Sequence, residues 1–146
     1  MMVSANLERA RKYCVYQERC HFEVRSKLLE WKIYGEELEE IMADLITENF
    51  LNEERYAKAY VSGKFKINQW GRKKIAQGLK AKQISNYSIQ KGMEGIDETG
   101  YDSMVGALIE KRKRKKSGHS DAQIIQYMLS RGFEYEYIQK KLKHES

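Results

Sequence analysis

The sequence predicts an all-α protein made of three tandem three-helix repeats, and three observations carry that reading. Its 146 residues include no proline. The positions are filled largely by Glu, Lys, Arg, Leu, Ala, Gln and Ile, most of which lose little freedom in a helix. One apolar pattern also occurs three times, and a fixed repeat governs the reading of a whole fold.

The pattern runs Val24, Leu28, Ile33, Leu38, Met42, then Ile75, Leu79, Ile84, Ile89, Met93, then Ile124, Met128, Phe133, Ile138, Leu142. Each copy advances by 4, 5, 5 and 4 residues, and the copies start 51 and then 49 residues apart. A step of four joins neighbours on one helix face, whereas the paired steps of five bracket a short break between two helices. Each copy is therefore a helical hairpin, and Ile33, Ile84 or Phe133 is expected to plug the gap at its turn. Tyr34-Gly35, Ile84-Ser85 and Gly132-Phe133 supply the punctuation, with Gly132 suited to a helix C-terminus.

A further helical segment precedes each hairpin: Leu7 to Arg19, Asn52 to about Lys66, and Gly100 to about Lys116. Asn52 before Glu53 and Glu54 reads as an N-cap with acidic residues at the positive end of the helix dipole. Ser120 to Gln123 fits a capping box. Helical period is lost near Phe50-Leu51 and from Glu94 to Gly100, which gives units 1–50, 51–96 and 97–146. A unit of about 50 residues has little core of its own, so neighbours are expected to share apolar surface in an elongated, curved molecule.

The apolar fraction of 41%, with ten Tyr and two Trp, argues against disorder despite 33% charged residues. No apolar run approaches the roughly 20 residues that span a bilayer, and no apolar stretch follows a basic start at the N-terminus. A cytoplasmic protein is expected. Cys14 and Cys20 are read as free thiols on different faces. His21, His119 and His144 are scattered, so no metal site and no cofactor is assigned.

Charge is uneven. Residues 1–50 carry 7 basic and 10 acidic side chains, residues 51–96 carry 10 and 3, and residues 97–146 carry 10 and 8. The basic middle points to an anionic partner, with nucleic acid the first candidate.

The string Phe50-Leu51-Asn52-Glu53-Glu54-Arg55-Tyr56-Ala57-Lys58-Ala59-Tyr60-Val61 is followed by Trp70-Gly71 and by Ile75, Leu79, Lys82 and Ile84. It resembles the RecX family, whose members show F-L-[DN]-[DE]-x-[RK]-[FY]-A-x-x-[FY]-V, a Gly opening the next helix, and I-x-x-x-L-x-x-K-x-I. The resemblance extends to Glu23-Val24-Arg25-Ser26-Lys27-Leu28 and to the segment from Tyr127 to Phe133, with Ile138 and Leu142. It thus covers nearly the whole chain. Departures are Arg19-Cys20 where His-Ser is common, Gly78 where Glu is usual, and Gln83 where Gly is usual. Gly78 inside a helix is expected to weaken it by about 1 kcal/mol relative to Ala.

The resemblance implies a modulator of the RecA recombinase, one that docks along the groove of the RecA filament on single-stranded DNA and usually restrains it. It implies no chemistry. Composition, periodicity and spacing show only a basic helical repeat, for which direct nucleic-acid binding without RecA is the alternative.

Candidate binding residues follow from charge. Lys111-Arg112-Lys113-Arg114-Lys115-Lys116 is the densest cluster, either a solvated helix end or a site for phosphates or carboxylates. Arg72-Lys73-Lys74 follow Gly71 in a first helical turn, where cations oppose the dipole. That placement hints at a use, with the backbone amides also open to a phosphate. Lys64, Lys66 and Arg131 complete the set.

Trp70, Tyr56 and Tyr60 could stack on bases but read as core, as does Trp31. Glu36, Glu37, Glu39 and Glu40 satisfy a helix dipole. No nucleophile elbow, phosphate loop or zinc signature occurs, so the chain is read as a binding protein and not an enzyme. A monomer is expected.

Overall fold

The structure is a computed structural model that describes residues 4–115 and 118–144. It contains α1 (Ala5–Tyr16), α2 (His21–Glu30), α3 (Gly35–Thr47), α4 (Glu53–Lys66), α5 (Arg72–Ala81), α6 (Asn86–Met93), α7 (Glu98–Lys113), α8 (Asp121–Ser130) and α9 (Tyr135–His144). The described residues include no strand. Substantial helix packing falls within the triplets α1–α3, α4–α6 and α7–α9.

Helix starts are set by short polar side chains that accept first-turn N–H groups. Ser4 accepts from Leu7, Asn52 from Arg55 at 2.9 Å, Ser85 from Ser88, and Asp97 from Gly100. Ser120 and Gln123 form a reciprocal capping box.

The three hairpin turns are built alike. Lys32, Gln83 and Gly132 adopt positive φ of 64°, 61° and 93° just past α2, α5 and α8. The next N–H, of Ile33, Ile84 or Phe133, then reaches back to Leu28, Leu79 or Met128 at 2.9, 3.1 and 3.2 Å. This is the Schellman closure, and its usual apolar contact joins those same two residues. The step of five in the sequence is that contact, and Ile33, Ile84 and Phe133 are all buried. In the first hairpin the turn has two left-handed residues, Lys32 and, within the Tyr34-Gly35 pair on which the sequence reading placed the break, Gly35 at φ 58°.

Two apolar cores result. One belongs to α1–α3 and includes Leu28, Met42 and Leu45. The other runs unbroken through α4–α9, from Val61 and Leu79 to Phe133 and Ile138, and takes in Cys20. The surface of 9235 Å² exceeds the roughly 7,800 Å² expected of a compact 17.2 kDa monomer, as an extended chain of triplets requires.

The two boundaries differ in kind. Between the first and second triplets, Cys20 at the start of α2 inserts into the second core. Ion pairs join Glu18 to Arg55 at 2.8 Å and Glu23 to Lys82 at 3.2 Å. Cys14 lies in the first core, and burial pushes its thiol up to about 11; both cysteines are free.

Between the second and third triplets the backbones themselves bond. Gly71 N–H donates to Arg131 O at 2.7 Å and Lys73 N–H to Gly132 O at 3.0 Å. Tyr101, fully buried, stacks on Phe65 at 5.8 Å and meets Phe133 at 5.5 Å.

Candidate nucleic-acid interface

The site begins in the turn between α4 and α5. Gln69 takes a positive φ of 58°, and Trp70 N–H returns to Lys64 O at 3.0 Å, folding the indole back over the end of α4. The half-buried Trp70 ring lies 4.8 Å from Lys64 Nζ and 4.5 Å from Lys74 Nζ. Lys64 is also 5.5 Å from the Tyr60 ring. Two ammonium groups on one indole form a cation–π cluster. Trp70 therefore serves the surface as well as the core, to which the sequence reading assigned it.

Arg131 links this cluster to the third triplet. Its carbonyl receives Gly71 N–H, its Nη2 donates to Asn68 O, and its buried Nε has no partner. The same guanidinium lies 5.9 Å from the Tyr127 ring, over which Arg112 sits at 3.4 Å. Burial acts to raise the Tyr127 pKa. The hydrogen bond from Arg112 and the charges of Arg131, Arg112 and Lys111 outweigh it, so the phenol lies below its ordinary value.

Lys64, Lys74, Arg131 and Arg112 thus follow one another from the end of α4 to the end of α7, interleaved with Tyr60, Trp70 and Tyr127. None of these four cations is paired with a carboxylate among the described residues. Unneutralised cations beside aromatic faces are the equipment of proteins that track a single-stranded backbone.

The remaining predicted residues go elsewhere. Arg72 turns inward: its guanidinium lies 3.9 Å over the Tyr101 ring and pairs with Glu98 at 2.7 Å and Glu134 at 3.5 Å. Its charge holds the second and third triplets together. The amides at the start of α5 are also taken, Arg72 N–H by Tyr101 Oη at 3.0 Å and Lys73 N–H by Gly132 O. A phosphate therefore finds neither at that helix start, contrary to the sequence expectation.

Lys73 is exposed, and Lys66 borders a separate groove with Lys58 and Lys91. Lys113 has an interaction of its own. Lys111, Arg114 and Lys115 border a groove shared with Lys141 of α9, and Lys116 lies outside the described residues. Sequence reasoning missed Asn68 and Lys141, and took Tyr127 only as part of a family string. The place of Asn68 beside Arg131 is a tertiary fact with no local signature, whereas Tyr127 stands four positions before Arg131, a spacing that is local.

Among the described residues no group of His, Cys, Asp and Glu could hold a metal ion, and no helix is long and apolar enough to cross a membrane.

The family model for RecX, second three-helix domain, matches residues 52–93. The regulatory protein RecX of Bacillus cytotoxicus is 27% identical over 140 residues, covering 91% of this chain and 52% of that protein. The regulatory protein RecX of Lactococcus lactis subsp. cremoris (strain SK11) is 26% identical over 130 residues, covering 84% and 48%. The chain spans about half the length of the curated relatives it matches.

The crystal structure of RecX from Lactobacillus salivarius superposes with a TM-score of 0.85 at 26% identity, covering 95% of this chain and 93% of that one. A second crystal structure, of a regulatory protein RecX, shares the fold with a TM-score of 0.82 at 20% identity, covering 94% and 72%. The all-helical architecture, the match at 52–93 and alignments over most of the chain agree: the chain is similar to regulatory proteins RecX over most of its length, and its second triplet matches the second three-helix domain of RecX.

Proposed function

We propose that this chain binds the RecA recombinase assembled on single-stranded DNA and restrains its activity in recombination and DNA repair, in the cytoplasm and without chemistry of its own. The observation that carries the reading is the track from Lys64 through Trp70, Lys74 and Arg131 to Arg112. Like charges gathered without carboxylate partners repel one another, and an anionic partner relieves that repulsion. The family name, regulatory protein, supports a binding role, and RecA as the partner follows from the family resemblance.

The same track favours a second reading, a direct nucleic-acid binder to which RecA is incidental. Salt and partner dependence separate the two. Phosphate-dominated binding to naked DNA weakens steeply with salt, whereas a filament-specific contact needs RecA.

The test is binding to RecA on single-stranded DNA, to the same DNA alone and to RecA alone, at two salt concentrations, with RecA ATPase followed in parallel. Preference for the assembled filament with lowered ATPase is expected. Replacing Lys64 and Lys74 together by Gln should weaken filament binding about tenfold, some 1.4 kcal/mol, without changing the melting temperature. Equal, salt-sensitive binding to naked DNA with unchanged ATPase would leave only the second reading.

A further inference from the structure

The basic end of α7 divides. Arg112 turns to Tyr127 and the track described above, while Lys111, Arg114 and Lys115 border an open groove of about 780 Å³ between α7 and α9. Ser103, Gly106, Ala107 and Glu110 form its α7 side and Lys141 its α9 side. Lys141 lies across Gly106, where a Cβ would come within 3.7 Å of its aliphatic stem, and its ammonium pairs with Asp102 at 2.8 Å.

Among the described residues, four cations therefore face one lining carboxylate, Glu110, whose contact with Arg114 is loose at 3.9 Å. Small residues on the floor let a ligand approach the α7 backbone. Lys111 stands in the last turn of α7 and Arg114 and Lys115 just beyond its end, so the three cations gather on the groove where the helix stops.

We infer that this α7–α9 groove is a site for the sugar-phosphate backbone of single-stranded nucleic acid, held without regard to base sequence. The lining favours that ligand over an acidic protein surface. Among the described residues it holds no Asn, Gln or aromatic side chain to read or stack a base, and no large apolar side chain to anchor a protein partner. What it offers is a row of cations above a low floor. The inference rests on the reading above only for the polymer's identity; it adds where the strand lies, on a face built by the third triplet alone.

The test uses the full chain and a fluorescein-labelled oligothymidylate without RecA, with anisotropy followed as salt is raised. Each phosphate neutralised on a single strand contributes about 0.7 to the slope of log K against log salt. The triple replacement Lys111→Gln, Arg114→Gln and Lys115→Gln should therefore flatten that slope by about 2. Gly106→Leu, which raises the floor without changing charge, should weaken binding about tenfold while the protein melts at or above its original temperature. Lys58→Gln with Lys80→Gln, away from the groove, should leave the groove's share of the slope in place.

An unchanged slope in the triple variant, or full affinity in Gly106→Leu, overturns the inference. So does polyglutamate displacing the oligonucleotide at equal charge concentration, which would make the groove a site for acidic protein. Because RecA is absent, these outcomes stand apart from success or failure of the filament reading.

Discussion

Gly71 and Gly132 face each other across the boundary between the second and third triplets with no room for a Cβ on either. One added to Gly71 would stand inside 3.0 Å of the Gly132 carbonyl, and one on Gly132 would meet Lys74 as closely. Only this approach lets Gly71 N–H reach Arg131 O at 2.7 Å and Lys73 N–H reach Gly132 O. The juxtaposition of Lys74 and Arg131, and with it the continuity of the cationic track, depends on two missing methyl groups.

Gly71→Ala should therefore destabilise the protein by about 2 kcal/mol, the usual range for overpacking a tight contact. Gly63→Ala is the control: it lies in α4 with nothing within 4 Å of a Cβ, so it should be stabilising by up to about 1 kcal/mol. Urea denaturation of the two variants should move in opposite directions. Equal shifts would mean that the Gly71 contact relaxes at no cost.

Gly78 offers a test of propensity against packing. As an isolated helical residue it is worth replacing, with about 1 kcal/mol expected from Ala. In the fold a Cβ there would stand inside 3.0 Å of the Tyr60 hydroxyl. Gly78→Ala should thus lose its benefit in the native background and recover it in a Tyr60→Phe background, a coupling that a double-mutant cycle reads directly.

Gln83 holds a left-handed conformation at φ 61° with a side chain that disfavours it, in the position that Gly132 occupies in the third hairpin. Gln83→Gly should stabilise by up to about 1 kcal/mol. Gln77→Gly, in the α5 interior, should destabilise by a similar amount. A Gln83→Gly protein that melts no higher would show that the turn is unstrained.

Acid should loosen the first boundary early. Burial opposes the Glu23 carboxylate, but Cys20 N–H at 3.0 Å and the Lys82 ammonium outweigh it, holding its pKa below the ordinary 4.5. Glu53 is held low in the same way, against burial, by the Ser85 N–H and hydroxyl. A carboxyl depressed in the native state stabilises above its unfolded value and loses that contribution as pH falls through the folded value. Stability should drop below pH 4.5, and Glu23→Gln should flatten the drop. The same pH dependence in that variant would remove Glu23 as its source.

Much of this was legible in the chain. The thrice-repeated apolar spacing located three hairpins, and Leu28–Ile33, Leu79–Ile84 and Met128–Phe133 proved to be the closing contacts of their turns. Asn52 and Ser120 announced helix starts, because capping acts over three residues and leaves a local mark. The basic character of residues 51–96 was equally plain, since it needs only counting.

What tertiary structure alone decided is which cations share a surface. Arg72 and Lys74 lie two positions apart, yet the first is drawn into Glu98, Glu134 and Tyr101 of the third triplet and the second lies on Trp70. Arg112 and Arg114 part likewise, one to Tyr127 and one to the α7–α9 groove. Helical rotation of about 100° per residue sends such near neighbours to different faces, and which face meets a partner depends on packing between triplets. That packing is set by Gly71 and Gly132, 61 residues apart, and local spacing cannot encode so distant a contact.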